Sequence, residues 1–369
     1  MKQLLLAAGI ALLCLGQSED DQPNAQTLPT DNVKIDTLRH MVRIYEDDDF
    51  INIRGCGTDN AYTNGTRLDY FYQLSRRSKT VADRFLPTAG SNSVNTYGWG
   101  MMQLMYTPNI ITDAAYQPND YPWSGALIAT HTLYSYDPIE KYDLLTELDL
   151  GVIGPAALDR QTQTLVHELI RYDRPRGWSH QFRNDLLANV NVTSERQFAG
   201  NGSTIEVIGG GQLSAGTMMN SLTLYPLLRI GRMHPYFEGF FRQYGGEGRT
   251  RRRHKDWQFY FICRPEVQFI LTEAVLQGGL FTRNPNLAFD NDPSKSQQEP
   301  PAPPQPYHPI NHVVVASNFG VVASTGDFAI SFNQNSSTAM MKGLYPHEVG
   351  NISLYFSWQT CSKQSCLQL

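Results

Sequence analysis

Alternation with a period of two recurs along this chain. It is clearest near the C-terminus, where Ile352, Leu354, Phe356 and Trp358 alternate with Ser353, Tyr355, Ser357 and Gln359. Side chains two apart share one face of a strand, so this segment has one apolar and one polar face. Weaker copies occur at Leu68, Tyr70, Tyr72 and Leu74, at Leu148, Leu150 and Val152, at Leu222, Leu224, Leu228 and Ile230, and at Trp257, Phe259 and Phe261. The pattern predicts a chain made mostly of strands. No internal repeat of fixed length is visible, which argues against a propeller or solenoid.

Two stretches break the pattern. Between Gly154-Pro155 and Pro175, the segment Ala156 to Arg171 sets Leu158, Leu165, Leu169 and Ile170 near one stripe, which predicts a helix. The segment Gln297 to Pro309 holds six prolines and cannot form a central strand, so it reads as a long loop. Strands are expected before Glu46, from Tyr62, over Tyr97 to Tyr106, over Ser124 to Tyr136 and over Tyr142 to Ile153. In an up-and-down barrel, connections after odd-numbered strands emerge at one mouth. That parity brings the acidic segment after the first strand, the loop after the third and the helix after the fifth to the same end.

Composition narrows the setting. Lys2 followed by the apolar run Leu4 to Leu15 reads as a signal peptide over residues 1–16, leaving residues 17–369 as a single barrel domain with a short tail at 360–369. No later apolar run is long enough for a membrane helix, and mean hydropathy is -0.37. A membrane barrel remains allowed, because its strands alternate lipid-facing and lumen-facing residues and keep hydropathy low. Nineteen Tyr, 17 Phe and 5 Trp suit the aromatic girdles of such a barrel, although a soluble sandwich also holds aromatics. The net charge of -5 gives no reason to expect nucleic acid. Cys361 and Cys366 are near enough in sequence to pair in an oxidising compartment, but spacing does not fix connectivity.

Candidate chemistry gathers at the predicted mouth. The run Glu46 to Asp49, followed by Asp59, Tyr62, Thr63, Asn64 and Gly65, is dense in oxygen donors that calcium prefers; the plain alternative is a solvated acidic loop. His167 lies on the predicted helix, with Asp173 six residues on. A neutral imidazole there can take a proton from water, although a lone helical histidine is often structural. No Gly-x-Ser-x-Gly elbow occurs, so histidine-activated water suits these residues better than a serine nucleophile. The basic run Arg249 to Lys255 fits lipopolysaccharide phosphates or a solvated hairpin tip, and strand counting does not assign its side. Five Asn-x-Ser/Thr triplets read as chance in a bacterial barrel.

The motifs Glu46-Asp47-Asp48-Asp49-Phe50, Tyr62-Thr63-Asn64-Gly65-Thr66-Arg67-Leu68, Tyr97-Gly98-Trp99-Gly100 and Glu147 to Pro155, then Gln161, Gln163, His167 and Gly177-Trp178, resemble the lipid A 3'-O-deacylases in content and order. That resemblance implies an all-β fold: a transmembrane antiparallel up-and-down barrel of about twelve strands with one short helix at the active-site mouth. It implies a monomer in the outer membrane of a Gram-negative bacterium, among outer-membrane lipids. It also implies calcium-dependent hydrolysis of the 3'-linked acyloxyacyl ester of lipid A, the substrate borne by lipopolysaccharide. Carried over by position, His167 is the base, Asp48 and Asp173 are metal ligands, and Asp47 and Thr63 complete the catalytic set. Asp47 stands where the family usually has asparagine, and Asp173 where one branch has glutamate. Thr112 and Asp113 occupy a loop where some members carry basic residues. The competing expectations are a non-catalytic barrel or porin with structural calcium, and a soluble secreted calcium-binding β protein.

Overall fold

The computed structural model describes residues 37–53, 59–74, 78, 80–245, 257–281 and 308–361. Twelve strands form: β1 (Thr37–Asp48), β2 (Ala61–Tyr72), β3 (Val94–Thr107), β4 (Ser124–Asp137), β5 (Tyr142–Ile153), β6 (Asp185–Gly200), β7 (Ile205–Gly216), β8 (Met219–Arg232), β9 (Trp257–Glu273), β10 (Val313–Thr325), β11 (Phe328–Ser337) and β12 (His347–Cys361). Each pairs antiparallel with its sequence neighbours, and β1 pairs with β12 to close the barrel. Closure leaves no strand edge with unpaired backbone groups, a condition for crossing lipid.

The alternation resolves into an inverted barrel. Ile44, Leu68, Met101, Ala129 and Leu150 form one row across β1 to β5 and point outward, with Leu150 68% exposed. The next row, Arg43, Asp69, Gly100, Thr130 and Asp149, points into the lumen. There Arg43 and Arg67 meet Asp69 at 2.6 and 2.8 Å, Arg67 meets Glu147 at 2.6 Å, and Asp149 accepts from Thr130 and Asn191. Charges inside and Leu outside reverse the order of a soluble protein, so the secreted β-sandwich reading falls. Near one rim, His40, Tyr70 and Trp358 stack on the outer wall, the placement of an aromatic girdle.

Both ends of the lumen are filled. Toward the mouth that follows the odd-numbered strands, Leu104, Tyr106, Ala126, Ile128, Ile153 and Leu187 pack with the loop residues Phe182, Leu276, Ile310 and Met341. At the other end the β8–β9 connection folds back inside: Phe241 packs with Met41, Phe71 and Tyr355, and Tyr236 donates to Glu195 at 2.6 Å. A polar cavity of about 240 Å³ lies in the lumen. Among the described residues, side chains from the connections pack inside the lumen toward both ends.

The expected helix is α1 (Asp159–Ile170). It is not the sole helix: single turns α2 (Phe240–Gln243) and α3 (Ala274–Gln277) also form. Four residues are too few to leave a periodic signature, which is why the sequence pattern missed them. Among the described residues no helix is long and apolar enough to cross a membrane. Residues 1–16, the proline-rich loop over 297–309 apart from His308 and Pro309, the Arg249 to Lys255 run and Cys366 lie outside the described residues.

Candidate active site

The site forms on the outside of the barrel wall, where α1 lies against the mouth ends of the first strands. The chain leaves β5 through Gly154, whose φ of +93° is open to glycine, and enters α1 after Leu158. It leaves through Arg171 in the left-handed region, with the Tyr172 N–H donating to the His167 carbonyl at 2.8 Å. This turn swings Asp173 back, so that its backbone carbonyl accepts from His167 Nδ1 at 2.5 Å.

Helix α1 is reversed relative to a helix on a soluble protein. Asp159, Gln163 and His167, spaced four apart, are buried against the wall, while Leu169 and Ile170 are 74% and 65% exposed. The sequence stripe is real, but it faces away from the barrel. At the helix start the wall residue is Gly125, where a Cβ would stand 1.8 Å from an Asp159 carboxylate oxygen; only glycine lets the helix approach so closely. Burial without a partner pushes the Asp159 carboxyl up to about 9, so it is neutral at pH 7.

His167 is 5% exposed. With Nδ1 donating to a carbonyl, Nε2 faces the seam between helix and wall, 3.3 Å from Asp59 Oδ1. Gln163 Nε2 donates to the same oxygen at 3.1 Å, and the Trp178 Nε1–H donates to Gln163 Oε1 at 2.7 Å. The row Trp178, Gln163, Asp59 and His167 therefore holds the carboxylate and the imidazole in register. Burial lowers the His167 pKa, but the hydrogen bonds to Asp59 and to the Asp173 carbonyl outweigh it, and the net shift is above 6.5.

The β1 end divides the remaining residues between two faces. Asp48 points outward: its carboxylate accepts the Phe50 N–H at 2.7 Å and caps the turn Asp49–Ile51. Asp49 accepts the Asn60 N–H at 2.8 Å, which ties the start of β2, and with it Asp59, to the β1 end. Burial, with Asp59 and Asp48 nearby, pushes the Asp49 carboxyl up to about 9. A bulge between Tyr62 and Asn64 turns Thr63 to the outer side, where its hydroxyl bonds that of Thr107 at 2.7 Å. Asp47 points the other way. It lines the lumen cavity and accepts from Tyr45 at 2.6 Å, Tyr62 at 3.0 Å and Asn351 at 3.0 Å.

The structure thus brings together His167, Asp48 and the Asp173 backbone, with Thr63 on the same side of the wall. It does not bring the Asp47 carboxylate to them, and the Asp173 side chain is exposed. The sequence reading names Asp59 only among the oxygen donors of the acidic segment, and Gln163 only in the ordered motifs. Gln163 is legible in hindsight, because it precedes His167 by four and shares its helix face.

Among the described residues no three His, Cys, Asp or Glu side chains converge on one point. The donor chemistry still suits calcium. Asp48, Asp49 and Asp59 lie near one another at the β1 end, none of them is paired with a lysine or arginine among the described residues, and burial, with Asp59 and Asp48 adding to it, raises the Asp49 carboxyl.

Comparison with known proteins agrees with this architecture. The model of the family described as outer membrane protein LpxR matches residues 6–358. Among solved structures, LpxR from Salmonella typhimurium superposes with a TM-score of 0.65 at 16% identity, covering 86% of this chain and 99% of that one. The beta domain of the Bordetella autotransporter BrkA covers 87% and 99% at a TM-score of 0.36 and 10% identity, too distant to inform the site. No curated protein matches the chain. With the family model matched across almost the whole barrel, this chain belongs to the outer membrane protein LpxR family and resides in the outer membrane.

Proposed function

We propose that this barrel is a lipid A deacylase that hydrolyses the 3'-linked acyloxyacyl ester at the outer leaflet, with His167 activating water. The observation that carries this reading is the position of the base. His167 is on the outer side of the wall, on the inward face of a helix whose apolar stripe faces outward, and not in the lumen. A hydrolase placed there meets substrates that lie in the leaflet.

The mechanism follows from the hydrogen bonds. The Asp173 carbonyl fixes the proton on Nδ1, which leaves the Nε2 lone pair directed into the seam. Nε2 takes a proton from a water held between the imidazole and the scissile ester, and Asp59 stabilises the imidazolium that forms. The same Nε2–H then passes to the departing sugar oxygen. Gln163, braced by Trp178, keeps Asp59 from rotating away. Calcium, when bound, supplies a Lewis acid that stabilises the negative charge developing on the ester carbonyl. Asp48, Asp59 and Asp173 would hold it, with Thr63 on the same side of the wall. Asp47 braces the β1 end from the lumen through Tyr45, Tyr62 and Asn351.

The test is the mass spectrum of lipid A from a host expressing the protein. The expected result is loss of the mass of the 3'-acyloxyacyl group, abolished in His167→Ala protein that still folds. Unchanged activity in that variant would overturn the base assignment, and full activity in excess chelator would overturn the calcium requirement. Calcium-dependent stability with no acyl release would favour the non-catalytic barrel.

A further inference from the structure

A second reversed surface sits at the opposite rim. The β2–β3 connection leaves the barrel on the same side as the short turns between β4 and β5, β6 and β7, and β10 and β11. Short turns mark the periplasmic end of an outer-membrane barrel. Residues 80–91 fold back over the outer wall. Asp83 Oδ1 lies 2.7 Å from His131 Nε2, the Ala89 N–H donates to Ser135 Oγ at 2.9 Å, and Ser78 Oγ donates to the other Asp83 oxygen.

The covered residues are outward-facing ones. His131 pairs across the sheet with Trp99, an exposed side chain of the lipid-facing wall, yet His131 is 5% exposed and Leu133 and Ser135 are buried. A histidine and a serine facing hydrocarbon would be expensive, and the segment gives them partners. Its own outer surface is apolar: Val81 is 66% exposed and Phe85 83%, one on each side of the Ala82–Arg84 turn, with Arg84 between them also exposed. This surface continues the aromatic band of Trp99, Tyr70 and Trp358, because Asp83 sits over His131 and the His131 ring lies 4.4 Å from that of Trp99.

We infer that residues 80–87 form a membrane ledge whose Val81 and Phe85 enter the phospholipid layer on the periplasmic side, with Arg84 at the headgroups. A ledge pinned to a closed wall sets the depth at which the barrel rides. The depth of α1 at the other rim is set with it. The inference rests on the barrel lying in the outer membrane and not on the chemistry of His167.

The experiment uses the full chain in liposomes containing phospholipids brominated near the glycerol end of their acyl chains. The fluorescence that Phe85→Trp adds over the parent protein is expected to lose most of its intensity to the lipid bromines and to be untouched by aqueous iodide. Val81→Trp is expected to behave in the same way, and it guards against a local defect at position 85. Heat-modifiable migration on gels confirms that each variant is folded. Failure of lipid bromines to quench either tryptophan, whether or not iodide does, would overturn the ledge.

Discussion

Two polar networks line the two faces of the same strands, and they differ in sign balance. In the lumen, Arg43 and Arg67 interleave with Asp69 and Glu147, each charge opposite its complement. Outside, Asp48, Asp49 and Asp59 lie near one another, and among the described residues His167 is the basic side chain that meets them. In the first network every carboxylate has an arginine or a neutral donor. The second carries carboxylates with no lysine or arginine paired to them among the described residues, which is the imbalance that the proposed calcium and His167 chemistry would use.

That contrast breaks most sharply at His167. His167→Ala should lower deacylation by roughly 10²- to 10⁴-fold, the usual contribution of a positioned base, with the barrel's melting unchanged. Lipid A mass spectrometry and thermal melts by circular dichroism read the two effects. Arg67→Met should do the reverse. It leaves Asp69 and Glu147 short of a partner in the lumen and should destabilise the barrel by about 3–5 kcal/mol, with activity per folded molecule little altered. A collapse of activity in folded Arg67→Met protein would show that the two networks are coupled.

The pH profile sharpens the comparison. His167 titrates above 6.5, because Asp59 and the Asp173 carbonyl outweigh the burial that opposes them, so its base form is lost as pH falls through that raised value. The acid limb of activity should therefore lie above 6.5, and Asp59→Asn should move it down. The stabilising effect of the pairing runs oppositely. It is full below the unfolded value of 6.5 and fades as pH rises through the folded one, so the enzyme becomes active over the interval in which that support is withdrawn. An acid limb unmoved by Asp59→Asn would remove Asp59 from the site.

The smallest effect belongs to Asp47→Asn. Asparagine keeps one acceptor for the two tyrosine hydroxyls and the Asn351 amide, so a stability loss near 1 kcal/mol is expected with no shift in the pH limb. Denaturant titration alongside the pH–rate profile measures both. A large change in rate would mean that Asp47 reaches the chemistry through the wall.

Much of this was legible in the sequence, and the limits are physical. The span Tyr142 to Ile153 was read to the residue because turn signals bound its alternation on both sides. Parity placed the acidic run and α1 at one mouth, as found. Parity cannot say which of Asp47 and Asp48 faces the helix, since a shift of one residue flips every side chain. Nor does a helical stripe reveal what it faces: Leu165, Leu169 and Ile170 have the same period against a core or against lipid. The periplasmic plug left no signal, because Phe240 and Phe241 belong to a single turn.

The filled lumen has one more consequence. Packing by Phe241 toward one end and by Leu276 and Met341 toward the other ties the strands together across the lumen from inside. Such close packing resists deformation, so the outer face that carries α1 rests on a wall braced from within.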